Sequence, residues 1–243
     1  MPPEFIDDVR SGPHWRLHIR PDSYDAQLIE SRKRCRELIE AAKVHLRGWD
    51  FPFVSRSDAD WGRGDNYIES WMEGWGMEYW RFLQSGQFLY LSTIREYFDS
   101  SWRKEIEEVA KQGIRQVSEP VDWDSVPGFV EIVNLVYRVT EYFEFAARLV
   151  QQGAYREPIT IKIGLHCIKG FVLATHDPRR FWPCYFAASV EKLEREWPVT
   201  PEDLINDSSE PAREAIVWLF EGFGWDDPNI EQIKKDQHAF LRR

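Results

Sequence analysis

The chain has 243 residues and a net charge of −10, with 43% hydrophobic and 30% charged residues. This composition is typical of a globular protein that buries a substantial core. No apolar run is long enough to cross a bilayer, and the N-terminus MPPEFIDDVRSG lacks the apolar segment of a signal peptide. The acidic balance disfavours non-specific nucleic-acid binding but leaves nucleic acid possible through a local basic patch. We expect a cytoplasmic protein with no membrane partner.

The cysteines and the aromatic residues are the two unusual features of the composition. Cys35, Cys167 and Cys184 are widely spaced and form no C-x-x-C pair. This spacing predicts free, buried thiols in a reducing compartment. Aromatic residues make up 15% of the chain, which predicts either a bulky core or an aromatic surface kept for a partner.

The first part of the chain carries the patterns of a sheet with a helix. Residues 14–20 alternate strictly between apolar and polar and predict a strand, and residues 44–49 predict a second one. Between them, Asp25 is the expected N-cap of a helix over residues 26–42. The stretch 66–94 then predicts a three-stranded meander.

The clearest part of the meander is a hairpin with strands over residues 77–84 and 87–94, joined by Ser85-Gly86. A two-residue loop places Trp80 opposite Leu91. The same register puts four residues together on the other face, namely Tyr79, Arg81, Phe88 and Tyr90. Because both faces are apolar in the middle, we expect the ribbon inside the fold. The predicted core includes Trp80, Phe82, Leu89, Leu91, Leu135, Phe143 and Trp218.

The second part of the chain is mainly helical. Residues 96–111 predict a helix, and Pro127 opens the most apolar helix, expected over residues 128–151. In that helix, the spacings of Arg138 with Glu141 and of Glu144 with Arg148 predict surface ion pairs. Residues 159–165 and 171–175 predict a second hairpin, and residues 176–200 predict irregular structure. Cap signals at Thr200-Pro201, Ser209-Glu210-Pro211 and Asp227-Pro228 predict a helical C-terminus.

These elements predict one composite α+β domain over residues 1–243, with an antiparallel or mixed sheet packed by long helices. Residues 112–126 are the candidate boundary between a strand-rich part (1–112) and a part with helices and a hairpin (127–243). The helix after this segment looks too apolar to stand apart, which favours a single domain.

Catalytic motifs are missing from the sequence. There is no P-loop, dinucleotide fingerprint or nucleophile elbow. His14 and His18 share a strand face but lie roughly 13 Å apart, too far to ligate one metal together. We predict no cofactor, no metal ligand and no catalytic residue.

Two groups of residues are candidates for a ligand or partner site. The first is Arg47, Trp49 and Asp50; the second is Glu69, Glu78, Tyr79, Arg81 and Tyr90. Charges in such apolar surroundings need partners, and both a structural ion-pair network and a binding site supply them. We expect a buried Arg81 to pair with an acid from residues 50–78. Removing that acid should then cost more stability than Arg81→Leu.

Several runs of residues carry a resemblance to a known family. They are HWRLHIRP (14–21), CRELIE (35–40), LRGWDFP (46–52), EYWRFLQSGQF (78–88), EYFEFAARL (141–149) and FGWDDP (223–228). The chain resembles the stand-alone form of an uncharacterised bacterial module found with AlbA-like, Schlafen-type nucleic-acid-binding domains. The resemblance spans nearly the whole chain and implies a bacterial origin. It implies no assigned activity, and the chain lacks the nucleic-acid-binding domain itself.

Three functions are compatible with these sequence features. The first is a non-enzymatic interaction or sensing module of a bacterial cytosolic system that binds a protein partner, or itself, through an aromatic-rich surface. The second is a nucleotide- or nucleic-acid-binding module that uses Tyr79, Arg81, Phe88 and Tyr90 as a stacking platform. The third is a hydrolase dependent on carboxylates such as Glu69, Glu78 or Asp50. The aromatic excess, the acidic charge and the missing catalytic signature favour the first.

Overall fold

A seven-stranded antiparallel sheet runs through the molecule. The computed structural model describes residues 3–55, 61–74, 76–113, 121–177, 180 and 185–242. The strands are β1 (His14–Pro21), β2 (Trp61–Arg63), β3 (Tyr67–Glu73), β4 (Met77–Leu83), β5 (Phe88–Thr93), β6 (Phe129–Glu131), β7 (Ile159–His166), β8 (Val172–Ala174) and β9 (Lys192–Val199). The sheet order is β2-β3-β4-β5-β1-β7-β9, and β6 pairs with β8 in a separate parallel ladder.

The described helices pack on both sides of this sheet. They are α1 (Pro3–Ser11), α2 (Arg32–Ala42), α3 (Arg95–Phe98), α4 (Ser100–Gly113), α5 (Ile132–Gln151), α6 (Pro201–Asp207), α7 (Ser209–Gly222) and α8 (Ile230–Leu241). Helix α1 packs on one face of the sheet, and a layer centred on α5 packs on the other. Helix α5 contacts α2, α6, α7 and α8. Because α5 is covered on most sides, its sequence is apolar nearly all round.

Alternation along the strands gives the sheet two different faces. On β1, Trp15, Leu17 and Ile19 are buried in the main core beneath the helix layer. The intervening side chains, such as Arg16, point to the opposite face, where α1 packs through Phe5 and Val9. We call these the helix-covered face and the open face. One covered face and one partly solvated face is the usual arrangement of an antiparallel sheet.

The structure confirms the α+β class, the strands over residues 14–20 and 67–72, the central helix and the helical C-terminus. No helix of the described ranges has the length and apolarity needed to cross a membrane. The candidate boundary at 112–126 falls largely on residues outside the described ranges. Of the predicted core, Trp80, Phe82, Leu91, Leu135 and Phe143 are buried, but Leu89 and Trp218 keep partial exposure.

The predicted hairpin register is wrong by one residue. The amide of Gly86 donates to the carbonyl of Leu83 (2.9 Å), and the amide of Leu83 donates to the carbonyl of Gln87 (2.9 Å), so the loop holds three residues. Gly86 has a φ of +78°, the left-handed conformation that ends hairpin loops of this length. The extra loop residue shifts the whole of β5 relative to β4.

This shift reverses the face assignment of β5. Trp80 lies opposite Tyr90, not Leu91, and Arg81 lies opposite Leu89. Phe88 and Tyr90 are therefore buried on the helix-covered face, whereas Tyr79 and Arg81 belong to the open face. A one-residue slip has this effect because side chains alternate with a period of two.

Two other predictions of secondary structure are wrong because the chain turns where a strand or a helix was expected. Residues 44–49 form no strand, because Gly48 (φ +86°) turns the chain so that Val44 bridges Phe51. The helix predicted from residue 26 begins at Arg32 with Ser31 as its cap. Asp25 instead accepts a hydrogen bond from the amide of Gln27 (2.8 Å) in a turn.

The predicted second hairpin does not form either. Strand β7 pairs with β1 and β9, while β8 pairs in parallel with β6. Cys167 (φ 57°) and Gly170 (φ +80°) turn the chain away from β7. The same conformation leaves the Cys167 thiol exposed, so the prediction of buried thiols holds for Cys35 but not for Cys167. Cys184 lies outside the described residues.

Candidate functional site

The structure divides the candidate residues between the two sides of the sheet. Glu78 and Tyr90 lie on the helix-covered face, where Phe53 and Phe51 contact them from the segment after α2 that also carries Arg47, Trp49 and Asp50. The other group, Glu69, Tyr79 and Arg81, lies on the open face. The second predicted constellation is therefore two constellations, separated by the thickness of the sheet.

A closed loop after α2 presents Trp49 at the surface. Val44 and Phe51 exchange backbone hydrogen bonds of 2.7 and 2.8 Å at its base. Phe51 anchors the loop in the core, against the rings of Tyr90 and other core aromatics. Trp49 at the tip is 38% exposed.

Asp50 braces this loop from within. Its carboxylate accepts hydrogen bonds from Lys43 Nζ (2.9 Å) and His45 Nδ1 (2.8 Å). Burial alone would raise the pKa of Asp50, but these two partners outweigh burial and lower it. Asp50 therefore acts as a structural brace of the loop in this structure.

Beneath the loop, a chain of buried polar groups crosses α5. The guanidinium of Arg47 pairs with Glu141 and donates from Nη1 to Asn134 Oδ1 (2.7 Å). Asn134 Nδ2 in turn donates to Glu96 Oε1 (2.8 Å) in helix α3. The side chains of Arg47 and Glu141 are 6% and 0% exposed. We call Arg47, Glu141, Asn134 and Glu96 the buried polar chain.

The buried polar chain joins two segments that are distant in sequence. Arg47 belongs to the loop after α2, and Glu96 belongs to α3, the helix that follows β5. Asn134 of α5 contacts both. Burial raises the pKa of Glu96, although Asn134 opposes this. One amide side chain therefore fixes the loop and α3 relative to each other.

A second buried polar group lies deeper, between α5 and the sheet. Arg138 Nη1 donates to Tyr90 Oη (3.0 Å) and to Ser92 Oγ (2.9 Å). Glu78, opposite Ser92 in the register, accepts a hydrogen bond from the amide of Phe53 (2.7 Å). Burial raises the pKa of Glu78 to about 7. Tyr90 is thus an internal group without contact surface, and the carboxylate of Glu78 is engaged by the backbone of Phe53 although the residue keeps partial exposure.

On the outside, the buried polar chain supports a cluster of aromatic and arginine side chains. The guanidinium carbon of Arg95 lies 5.7 Å from the ring centre of Trp49 and 4.4 Å from that of Trp102. Arg47 lies 5.0 Å below the same Trp49 ring. Phe98, one helical turn after Arg95, is 42% exposed. We call Trp49, Arg95, Phe98 and Trp102 the aromatic–arginine patch.

The open face carries the predicted pair of Arg81 with an acid. Glu69 Oε2 accepts hydrogen bonds from Arg81 Nε (3.0 Å) and Nη2 (2.7 Å), and from the hydroxyl of Tyr79 (2.9 Å). The guanidinium of Arg81 also stacks on Tyr67 at 4.0 Å. The pairing is confirmed. The premise of a buried Arg81 is wrong, because its side chain is 30% exposed and that of Glu69 only 7%.

The predicted stacking platform does not exist. Phe88 and Tyr90 are buried on the helix-covered face, and the ring of Tyr79 is covered by α1. The three-residue hairpin loop is the cause, because it moves β5 by one residue. A nucleotide-binding role cannot use these four side chains together.

Sequence reasoning missed the α5 members of the buried groups. Glu144 and Arg148 do form the predicted pair (2.8 Å). Arg138 and Glu141, predicted as a surface pair, are buried and take other partners. The sequence feature that indicates a buried polar group is the spacing of Asn134, Arg138 and Glu141. It puts three polar residues on one face of an otherwise apolar helix.

The described ranges contain no group of three or more His, Cys, Asp or Glu side chains arranged to hold a metal ion. Comparisons with known proteins supply no family for this chain: no family model, no curated protein and no solved structure matches it.

Proposed function

We propose that this protein is a non-enzymatic interaction module that binds a protein partner through the aromatic–arginine patch. The observation that carries the proposal is Arg95 held between the rings of Trp49 and Trp102, with Trp49 exposed and Phe98 exposed one turn after Arg95 in α3. The buried polar chain joins the two segments that carry Trp49 and Arg95. Trp, Tyr and Arg are the residues most enriched among the energetic centres of protein interfaces.

The distribution of aromatic residues supports this choice of surface. Most of the large aromatic side chains fill the core, including Trp80, Phe82 and Phe143. Among the described residues, eight large apolar side chains are exposed. Three of these, Trp49, Tyr97 and Phe98, belong to the patch or adjoin it. The aromatic excess of the sequence therefore goes mainly to the core. Of the four aromatic side chains exposed among the described residues, Tyr24 lies elsewhere and the other three belong to the patch or adjoin it.

The rigidity of the support favours binding as well. Association costs less when the binding side chains are already ordered in the free protein. Arg47 is held by Glu141 and Asn134 directly beneath Trp49, and Glu96 anchors the helix that carries Arg95. A pre-ordered patch of this kind supports recognition of a partner without a conformational change.

Site-specific photo-crosslinking in cells tests the proposal. A photoreactive phenylalanine analogue at position 98 should give one discrete crosslinked species, because Phe98 lies within the patch. A species of twice the chain mass would identify the partner as a second copy. The same analogue at position 24 is the control, because Tyr24 is an exposed aromatic residue (79%) outside the patch.

Crosslinking from position 98 must also depend on Trp49, the other exposed aromatic residue of the patch. Trp49→Ser should remove the crosslinked species, since Trp49 completes the contact surface around Arg95. If position 98 gives no discrete species, or if position 24 gives the same one, the patch is not the partner site.

A further inference from the structure

A second candidate site lies on the open face, in a groove between α1 and strands β1, β5 and β7. The groove has a volume of about 230 Å³. Four basic residues, Arg10, Arg16, Arg81 and Lys162, line it together with one acidic residue, Glu194. On a chain with a net charge of −10, this is a local reversal of charge.

The register of the sheet explains how the groove forms. Leu91, Arg16, Gly164 and Glu194 follow one another across four strands in a single row. Gly164 lines the groove with backbone only, and the ring of His166 lies beside it, with Nε2 2.9 Å from where a Cβ on Gly164 would stand. Leu91 supplies an apolar floor, and α1 forms the wall through Ile6 and Arg10.

The neighbouring row repeats the pattern. It places Leu89, His18, Lys162 and Glu196 side by side. His18 Nε2 is within hydrogen-bond distance of Gln87 Oε1 (3.2 Å), and burial lowers the pKa of His18. The imidazole is therefore a neutral polar group at neutral pH, and the positive charge of this row comes from Lys162.

The basic residues of the groove are only partly neutralised. Lys162 Nζ lies 3.2 Å from Glu194 and 3.8 Å from Glu196, and Arg16 Nη1 lies 3.8 Å from Glu194. Arg81 is paired with Glu69. None of the described carboxylates forms an ion pair with Arg10. Glu194, the acidic side chain that lines the groove, is thus shared by Arg16 and Lys162, and Glu196 is shared by Lys162 and Arg20. Arg10 is a further cation on the α1 side of the groove.

We propose that this groove binds a small organic anion that carries closely spaced anionic oxygens, such as a phosphate ester or a polycarboxylate. The planar guanidinium of Arg16 matches two such oxygens, and Lys162 adds a compact positive charge. Leu89 and Leu91 provide the apolar contact that an organic body needs. The volume lies below the range of roughly 300–1,000 Å³ that is typical of drug-sized ligands, so the ligand is small.

This site is separate from the proposed partner site. The patch lies beside the helix layer, whereas the groove lies on the open face of the sheet. No residue is shared between them, so either proposal can fail while the other stands. The groove also retains Tyr79 and Arg81 of the predicted site, but as parts of an anion site without base stacking.

Isothermal titration calorimetry on the full chain tests the proposal, with inorganic pyrophosphate and citrate as separate probes. The buffer should have low ionic strength, because salt screens exposed charges. We expect at least one probe to bind, and the better probe identifies the anion type. Arg16→Gln should weaken that binding about tenfold or more, as expected for the loss of a charge-assisted hydrogen bond.

Arg20→Gln is the matched control. Arg20 belongs to the same strand and points to the same face as Arg16, with a similar side-chain exposure (39% against 45%), but it does not line the groove. The control should change the affinity by less than about twofold. The proposal is overturned if neither probe binds the wild-type chain, or if both variants weaken binding equally.

Discussion

The two faces of the sheet hold ion pairs of the same chemical type in opposite surroundings. Arg47 and Glu141, in the helix layer above one face, are 6% and 0% exposed. Arg20 and Glu196, on the open face, are 39% and 45% exposed. Exposed pairs contribute little to stability, whereas a buried charge without its partner is costly. The comparison shows that the burial of an ion pair, and not its residue types, decides how much stability is lost when one partner is removed.

Truncation of apolar side chains should give the largest difference in stability between the two faces. Trp80→Ala on the helix-covered face should lower the free energy of unfolding by about 3–5 kcal/mol, because the indole is fully buried. Leu89→Ala on the open face should cost about 1 kcal/mol. Urea denaturation measures both. Equal losses would show that the faces are not distinct in packing.

The buried ion pair should show a cost of similar size. Arg47→Met should lower the free energy of unfolding by about 3–5 kcal/mol, because it leaves Glu141 buried without its cation. Arg20→Met should stay within about 0.5 kcal/mol of wild type.

The combined variant Arg47→Met/Glu141→Leu should recover part of the loss, since it removes both charges. A double variant less stable than Arg47→Met would contradict a desolvation cost at Glu141. Guanidinium chloride would screen the exposed control pair, so urea is the suitable denaturant here as well.

Glu78 adds a pH dependence to the helix-covered face. Burial raises its pKa from 4.5 to about 7, so the folded protein retains a proton that the unfolded chain releases. This stabilisation is complete below pH 4.5 and is lost as the pH rises through about 7.

Relative to Glu78→Gln, the wild-type free energy of unfolding should therefore fall by roughly 2–3 kcal/mol between about pH 4.5 and pH 8. The glutamine keeps an oxygen for the amide of Phe53 and removes the titrating group. Denaturation at a series of pH values measures the difference. A difference that stays constant with pH would place the pKa of Glu78 near its ordinary value.

The smallest effect concerns Arg81 and Glu69 on the open face. The carboxylate is the buried partner, so Arg81→Leu should cost about 1–2 kcal/mol by leaving Glu69 with only the Tyr79 hydroxyl. Glu69→Gln should cost less than about 1 kcal/mol, because the exposed guanidinium can turn to water. This order is the reverse of the sequence-based expectation. A larger loss for Glu69→Gln would restore it.

The sequence predicts the elements whose burial is regular along the chain. Strand β1 was predictable because one of its faces is buried, and α5 because it is covered nearly all round. Strand β9 was missed because it is an edge strand, half exposed, and lacks a clean alternation. The hairpin register depended on one loop residue, which the Ser85-Gly86 signal does not determine.

The candidate site was predictable only in parts. Arg47 and Glu96 stand out as charges near apolar segments, but they meet through Asn134, 87 residues from Arg47 and 38 from Glu96. No local pattern encodes such a contact. Alternation along β4 is enough to place Glu78 and Arg81 on opposite faces of the sheet. The sequence-based prediction nevertheless grouped them in one site.

The most direct measurement is the dissociation constant of the protein partner captured at position 98, or of the dimer if that partner is a second copy. Trp49→Ser should weaken this association about thirtyfold, as expected for a hot-spot side chain. Tyr24→Ser, a change at an exposed aromatic residue outside the patch, should stay within about twofold. Equal affinities of the wild-type chain and Trp49→Ser would contradict the account.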